Sequence, residues 1–173
     1  MDDYDAIAAQ LRKKGHVNIL PPGGQFEAET LAACLVRGIT ESDFADYLEQ
    51  LCDALEFLQA CKPPILYLDI TPEKLLIGED NILKLTGFES ASYGEDKVAV
   101  VEAFGLFVDS MDAVFKRRYK RVIRGCTRQF ETLGEIRRAM GSQSGPLIAR
   151  YAILIVGIAL VTRIMTHVLG RFF

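Results

Sequence analysis

Apolar and polar residues recur along the first part of the chain at a spacing that predicts helices. Within residues 4–14 the apolar side chains fall three or four positions apart, and Gly15 ends this predicted helix. A longer apolar stripe begins after Thr40, which together with Asp43 predicts a capping box at a helix start. The stripe predicts one long helix that ends before Lys62, and its members are Phe44, Leu48, Leu51, Leu55 and Leu58.

Short apolar runs near the middle of the chain predict strands. Residues 75–77 and 82–85 are both too short for helices, and residues 78–81 between them (Gly-Glu-Asp-Asn) tolerate turn geometry. This pattern predicts a β-hairpin. Another short run, residues 31–36 (LAACLV), predicts a strand of its own, and residues 21–24 (Pro-Pro-Gly-Gly) predict a turn before it.

The second half of the chain returns to helical patterns. Residues 97–115 are apolar on nearly every side, which predicts one helix buried at the centre of a lobe. Residues 119–128 and 133–140 predict the last two helices of the domain. Residues 142–150, which begin Ser-Gln-Ser-Gly-Pro, predict a linker.

The cysteines predict neither a disulfide framework nor a metal site. Cys34, Cys52, Cys61 and Cys126 are widely scattered, with no CxxC pair and no histidine at metal-ligand spacing. We expect buried or half-buried thiols in a reducing cytosol.

The loops on either side of the predicted hairpin resemble two signature loops of the eukaryotic-type protein kinases. Residues 67–74 read Tyr-Leu-Asp-Ile-Thr-Pro-Glu-Lys, similar to the family's catalytic loop His-Arg-Asp-x-Lys-Pro-Glu-Asn. Residues 87–89 read Gly-Phe-Glu, similar to the family's Asp-Phe-Gly. The two loops keep the spacing that they have in the family. Most of the residues that act in catalysis or metal binding in the family are replaced in this sequence.

The resemblance implies an α+β, protein-kinase-like fold that consists mostly of the helical C-lobe. Residues 1–36 would be a reduced N-lobe remnant, with the end of its one helix and its last strands, and residues 37–141 would be the C-lobe. The Gly-rich loop and the Val-Ala-x-Lys strand of the family are absent from this sequence. Residues 90–96 leave no room for an activation segment.

By the same resemblance, Asp69 is a vestigial catalytic-loop aspartate that we expect to be inactive. The phosphate-steadying lysine of the family is replaced by Thr71, and its two magnesium ligands are replaced by Lys74 and Gly87. We therefore expect no metal site and no cofactor, with Lys74 as a weak candidate for nucleotide phosphate. Asp69 is expected to be a solvated or backbone-capping carboxylate, with a pair to Lys74 as a further option.

Two aromatic side chains of the same loops are expected in the core. Tyr67 and Phe88 correspond to positions that stack into the family's hydrophobic spine. A hairpin that brings two aromatics together more often buries them than builds a ligand cage from them.

Charge is distributed very unevenly along the chain. Residues 1–115 hold 8 basic and 21 acidic residues, a net charge of −13, whereas residues 116–150 hold 10 basic and 2 acidic ones, a net charge of +8. The basic neck, residues 116–128, is expected to be a solvated helical face or a surface for anionic lipid or a partner. Nucleic acid is not expected as a ligand, because the net negative charge of residues 1–115 would repel a phosphate backbone.

The C-terminal residues predict a membrane anchor. Residues 151–162 carry no charge but are shorter than the ~20 residues that a bilayer crossing needs. A segment extended to residue 173 would be long enough but includes Arg163 and Arg171. On insertion scales an arginine raises the free energy of membrane insertion by only ~3 kcal/mol. We expect residues 151–173 to form a single-pass anchor with the domain in the cytoplasm. The alternatives are an interfacial amphipathic helix and a helix docked on the sheet left exposed by the missing N-lobe.

The sequence thus predicts a catalytically inactive, membrane-tethered pseudokinase. It would bind or scaffold a partner protein, such as an active kinase or its substrate. An atypical ATP-dependent protein kinase that uses Asp69 and Lys74, without a dedicated magnesium site, is the alternative. A decayed gene with no selected function is a third reading.

Overall fold

The predicted hairpin forms and provides two of the three strands of the larger sheet. In the computed structural model, which describes residues 3–141, β3 (Leu75–Gly78) and β4 (Leu83–Leu85) pair antiparallel. Leu75 lies opposite Leu85, and both are fully buried. The turn between the strands is closed by Asn81, whose φ of 60° is a left-handed conformation that asparagine tolerates.

A strand that the sequence pattern does not predict completes this sheet. β1 (Ala28–Thr30) pairs antiparallel with β3, so that the strand order is β1-β3-β4. A second, smaller sheet joins β2 (Ile65–Leu66) to β5 (Ser92–Tyr93), also antiparallel. These sheets confirm the predicted α+β class, and the described chain is mostly helical.

The strand predicted at residues 31–36 is wrong, because these residues form a helix, α2 (Leu31–Arg37). The hydroxyl of Thr30 accepts a hydrogen bond from the backbone N–H of Ala33 (3.2 Å) and so caps the helix start. At the other end Gly38 adopts a φ of 91°, which ends the helix. Only Leu31 and Cys34 are buried, one turn apart, as expected for a helix that buries one side.

The long predicted helix is confirmed as α3 (Glu41–Ala60) and forms much of the core. All five members of the predicted stripe are buried. The capping box is also confirmed: the Thr40 hydroxyl accepts from the backbone N–H of Asp43 (3.1 Å), and the Asp43 carboxylate accepts from that of Thr40 (3.4 Å). The predicted burial of the four cysteines is confirmed as well.

The first helix is attached to the hairpin through a buried asparagine. α1 (Asp3–Lys14) ends at Gly15, as predicted, with Ile7, Ala8 and Leu11 buried. In the loop that follows, Asn18 is 3% exposed and donates its side-chain amide to the Leu83 carbonyl and the Gln50 side chain, both at 2.9 Å. This contact joins the loop, β4 and α3.

The apolar stretch 97–115 was predicted as one helix, and this is wrong, because the chain turns within it. α4 (Lys97–Asp109) ends before Ser110, and α5 (Ala113–Arg118) begins at a new cap. The Asp112 carboxylate accepts hydrogen bonds from the backbone N–H groups of Val114 (3.0 Å) and Phe115 (3.2 Å). An aspartate in this role starts a helix rather than continuing one.

Two further helices follow, as predicted. α6 (Lys120–Cys126) comes directly after α5, and α7 is Leu133–Gly141. Residues 3–138 belong to one compact unit. Within residues 3–141, no helix combines the length and the apolar character that a membrane crossing requires. The predicted linker at 142–150 and the predicted anchor at 151–173 lie outside the described residues.

Candidate functional site

The two signature-like loops are held against each other by backbone and aromatic contacts. The first loop follows β2 and ends in a 3-10 turn, Pro72–Lys74, and the second contains another, Phe88–Ser90. The backbone N–H of Thr86 donates to the Lys74 carbonyl at 3.0 Å. The hydroxyl of Tyr67 donates to the Thr86 carbonyl at 2.9 Å.

Tyr67 and Phe88 form the core contact that the sequence predicts. Their ring centroids are 5.3 Å apart, and each residue is 1% exposed. Burial raises the pKa of the Tyr67 phenol, and the negative charge of Asp69 adds to this effect. The pair therefore fixes the spacing of the two loops, and its hydroxyl stays a neutral hydrogen-bond donor.

Asp69 is engaged by two side chains, one from each loop. Lys74 donates a hydrogen bond to its Oδ2 atom and forms an ion pair with it. The Ser90 hydroxyl donates to the same oxygen at 3.3 Å. The structure therefore contains the pairing with Lys74, while the Asp69 side chain also remains 45% exposed to solvent.

Gly87 of the second loop lies directly against Lys74. A methyl group placed on Gly87 would come within 2.8–3.0 Å of the Cγ, Cδ and Cε atoms of Lys74. Gly87 also has a φ of 77°, which side chains disfavour. The aliphatic part of Lys74 thus fills the space beside Gly87, and its ammonium group reaches Asp69.

The electrostatics of this cluster keep the carboxylate charged. The hydrogen bond from Lys74 lowers the pKa of Asp69 below its ordinary value, and the Ser90 hydroxyl adds to the effect. The Asp69 side chain is 45% exposed and that of Lys74 is 26% exposed. An exposed pair of this kind contributes little to stability, about 1 kcal/mol at most.

An open groove of about 440 Å³ runs beside Asp69. One wall is the loop from Leu68 to Pro72, and the other is one side of α4. Leu68 is 43% exposed and Leu106 is 65% exposed, both high for leucine. Glu102 also lines the groove and makes no ion pair within the part of the chain that is described.

The structure brings together the residues that the sequence singles out and adds partners that sequence reasoning missed. Asp69, Lys74 and Gly87 form one cluster, and Thr71 lines the adjacent groove. Ser90 was missed, although its position directly after the Gly-Phe-Glu signature was a usable signal. In residues 3–141, no group of three His, Cys, Asp or Glu side chains is arranged to hold a metal ion.

The basic neck divides into paired and unpaired cations. Lys116 pairs with Asp109 (2.9 Å), and Arg118 pairs with Glu41. The other basic side chains of residues 116–128 make no ion pair in the described chain, and they line one depression: Arg117, Lys120, Arg121, Arg124 and Arg128.

The comparisons with known proteins give a weak and partial similarity to a protein kinase. A stretch of 57 residues, 33% of this chain, is 39% identical to a protein from Encephalitozoon cuniculi (strain GB-M1) named Aurora kinase. The chain matches only 20% of the length of that protein. No protein-family model matches the chain. The similarity supports a distant relation to the protein kinase family.

Proposed function

We propose that this chain is a catalytically inactive protein-kinase-like domain, a pseudokinase, that binds a partner protein. One observation carries the proposal: Asp69 is bound within the protein by Lys74, whose side chain also packs against Gly87. The three positions where the kinase signature places a base and two metal ligands are linked here through the side chain of Lys74. The partial similarity to a kinase supports the same reading of the fold.

The chemistry of the cluster favours inactivity for a simple electrostatic reason. Phosphoryl transfer in kinases depends on cations that neutralise the phosphate oxygens, and on a carboxylate free to accept the substrate's proton. Here Asp69 neutralises the ammonium group of Lys74, and the same ion pair occupies the Asp69 carboxylate. Each group would have to leave the other before it could act.

A phosphotransfer assay tests the proposal directly. The full chain, incubated with radiolabelled ATP, Mg²⁺ and a generic protein substrate, is expected to transfer no label above background. Transfer that is abolished by Asp69→Asn would overturn the proposal and favour the alternative, an atypical ATP-dependent kinase.

Nucleotide binding separates the two candidates independently of the choice of substrate. A ligand at a hundred times its Kd stabilises a folded chain by ~2.7 kcal/mol, which corresponds to a rise in Tm of about 5–10 °C. We expect no shift with millimolar Mg-ATP. A shift of that size, lost in Lys74→Ala, would support nucleotide use by Lys74.

The groove beside Asp69 supports the partner-binding part of the proposal. Exposed leucines on both walls, Leu68 and Leu106, are suited to burying apolar side chains of another protein. The carboxylate of Glu102, which forms no ion pair in the described chain, adds a negative charge to the groove. Residues 1–115, which include the groove, carry a net charge of −13. We infer a partner segment that combines apolar and basic side chains, for which an active kinase or its substrate is a candidate.

Matched surface variants test this groove. Leu106→Asp places a charge in the groove, whereas Val36→Asp changes a residue of α2 that is 92% exposed and does not line it. A partner that binds through the groove should be lost from affinity captures made with Leu106→Asp and kept with Val36→Asp. Equal capture by both variants would contradict the groove as the binding surface.

The membrane tether at residues 151–173 and the cytoplasmic location stay predictions from the sequence. Expression of the full chain and of a chain ending at residue 150 tests them by cell fractionation. We expect the full chain in the membrane fraction and the shorter chain outside it. Equal distribution of the two chains would contradict an anchor in these residues.

A further inference from the structure

Basic side chains of α5 and α6 form a surface that involves no residue of the Asp69 site. The inner side of these two helices is apolar and buried, through Phe115, Tyr119, Val122 and Cys126. The basic side chains are exposed and lie between these anchors in the sequence, except for Arg128, which follows the end of α6. Burial of the anchors therefore fixes the direction in which the arginines point.

The exposed side chains surround a depression of about 520 Å³. Six of the residues that line it are Lys or Arg, and none is Asp or Glu. One of the six, Arg118, is neutralised by Glu41. The other five make no ion pair within residues 3–141, so the depression holds an excess of uncompensated positive charge.

This clustering carries a cost that a bound anion would remove. Lys120 and Arg121 each lie one helical turn from Arg124, and like charges at that spacing destabilise a helix. Residues 142–173 contain no Asp or Glu, and residues 1–2 contain only one, Asp2.

The side-chain chemistry points to phosphate. Four of the five unpaired cations are arginines: Arg117, Arg121, Arg124 and Arg128. A guanidinium group presents a planar fork of N–H donors that matches two phosphate oxygens at once, whereas an ammonium group acts as a point charge. Several arginines around one depression suit several phosphates on one small molecule.

The charge of the rest of the chain limits the size of the ligand. Residues 1–115 carry a net charge of −13, which would repel a long polyanion such as nucleic acid. A compact ligand avoids this repulsion, because at physiological ionic strength charges more than about 8 Å away are largely screened.

We propose that the depression on α5 and α6 binds a compact ligand with clustered phosphates, of the inositol phosphate class. The same chemistry is available from a free inositol phosphate and from a phosphoinositide headgroup in a membrane. The proposal is independent of whether the Asp69 site is inactive.

The test measures binding of the full chain to soluble inositol trisphosphate and to phosphatidylcholine vesicles containing phosphatidylinositol bisphosphate. Vesicles brought to equal charge with phosphatidylserine are the reference, and they also account for any insertion of the apolar C-terminal residues. Binding in the soluble arm alone assigns the site to a free polyphosphate. Binding preferentially to phosphoinositide vesicles assigns it to a headgroup.

A matched pair of charge-removing variants localises the effect. Arg121→Gln/Arg124→Gln removes two cations from the depression, and Lys13→Gln/Lys62→Gln removes two exposed cations from elsewhere. Both double variants change the net charge equally. We expect Arg121→Gln/Arg124→Gln to raise the Kd roughly tenfold, because two charge-assisted hydrogen bonds to phosphate are lost at an exposed site. Lys13→Gln/Lys62→Gln should change the Kd by no more than about twofold.

Three results would overturn the proposal. The first is no saturable binding to inositol trisphosphate and no preference for phosphoinositide over phosphatidylserine vesicles. The second is equal weakening by the arginine and lysine pairs, which would mean that only net charge matters. The third is tighter binding to a single-stranded oligonucleotide than to either phosphate probe. Circular dichroism of both double variants checks that the fold is retained.

Discussion

The aliphatic chain of Lys74 lies where a side chain on Gly87 would have to be. A Cβ atom on Gly87 would lie 2.8 Å from Cδ of Lys74, and the ammonium group of the same lysine binds Asp69. Lys74 and Gly87 are thus physically linked, because the lysine occupies the space left by the glycine. A side chain placed at position 87 alone would disturb Lys74.

Gly87→Ala is expected to destabilise the protein by about 1–3 kcal/mol. Part of the loss comes from the positive φ, which costs a residue with a Cβ about 1–2 kcal/mol, and the rest from contact with Lys74. In the double variant Gly87→Ala/Lys74→Ala this contact is absent. The double variant should therefore lose less unfolding free energy than the sum of the losses in Gly87→Ala and Lys74→Ala. Urea unfolding measures all three variants.

Gly134→Ala in α7 is the control for this cycle. A Cβ there would approach only the Thr132 hydroxyl, at 3.9 Å, and helical glycine is less stable than alanine. We expect no loss of stability. Strict additivity of the Gly87 and Lys74 changes would show that the two residues do not compete for the same space.

Arg137→Ala is expected to destabilise the protein by about 1–3 kcal/mol. The guanidinium of Arg137 in α7 forms ion pairs with three carboxylates of α3: Glu49 (3.0 Å), Asp53 and Glu56 (3.3 Å). Its removal leaves like charges one turn apart on α3, with no cation between them. Urea unfolding of Arg137→Ala, with Arg128→Ala as an unpaired control, measures the effect. A similar loss in both would show that the network contributes nothing specific.

The stability of the protein should fall as pH drops below about 6.5, in part through His16. Burial lowers the pKa of His16 below its ordinary value of 6.5, and its ring stacks on Phe57 at 4.6 Å. Its Nδ1 atom accepts a hydrogen bond from the backbone N–H of Asn18 (3.2 Å), which protonation there would break. In this window the unfolded chain therefore binds more protons than the folded chain, and acid favours unfolding.

The measurement compares the free energy of unfolding at pH 7.5 and 5.5. In His16→Phe the ring can still stack but cannot titrate, so the difference between the two pH values should shrink. His16 is the one histidine in residues 3–141. An unchanged difference would mean that other groups account for the pH dependence.

Asn18→Leu is expected to destabilise the protein by about 2–3 kcal/mol. The change leaves the buried carbonyl of Leu83 without the amide that reaches it, and an unsatisfied buried acceptor costs about 1–3 kcal/mol. The Gln50 side chain loses the same donor. Gln25→Leu, at an exposed position without a side-chain hydrogen bond in the described chain, is the control, and thermal unfolding gives the comparison. Equal Tm values for the two variants would contradict a structural role of Asn18.

Local patterns identified most of the elements and the residues of the candidate site. The spacing of apolar residues predicted α3 and the hairpin, because a helix and a strand each bury side chains at a fixed period. The first signature-like loop contains both Asp69 and Lys74, and their pairing was one option from the sequence. The contact is local, because only four residues separate the two.

The errors fall where a local pattern was ambiguous. Residues 31–36 are apolar enough for a strand, and a single hydroxyl cap from Thr30 together with Gly38 decides for a helix. The long apolar stretch from residue 97 contains Asp112, whose role as a cap emerges only where the chain turns.

The sequence alone determined the α+β class, the uneven charge and the presence of Asp69, Lys74 and Gly87 in two short loops, since all of these are written in the order and type of the residues. The tertiary structure decided which groups meet. It pairs β1 with β3 across a long separation, brings Ser90 to Asp69, and opposes Arg137 to three acids on α3. It also gathers the unpaired arginines around one depression. Such contacts depend on how distant segments pack, and no short-range periodicity encodes that.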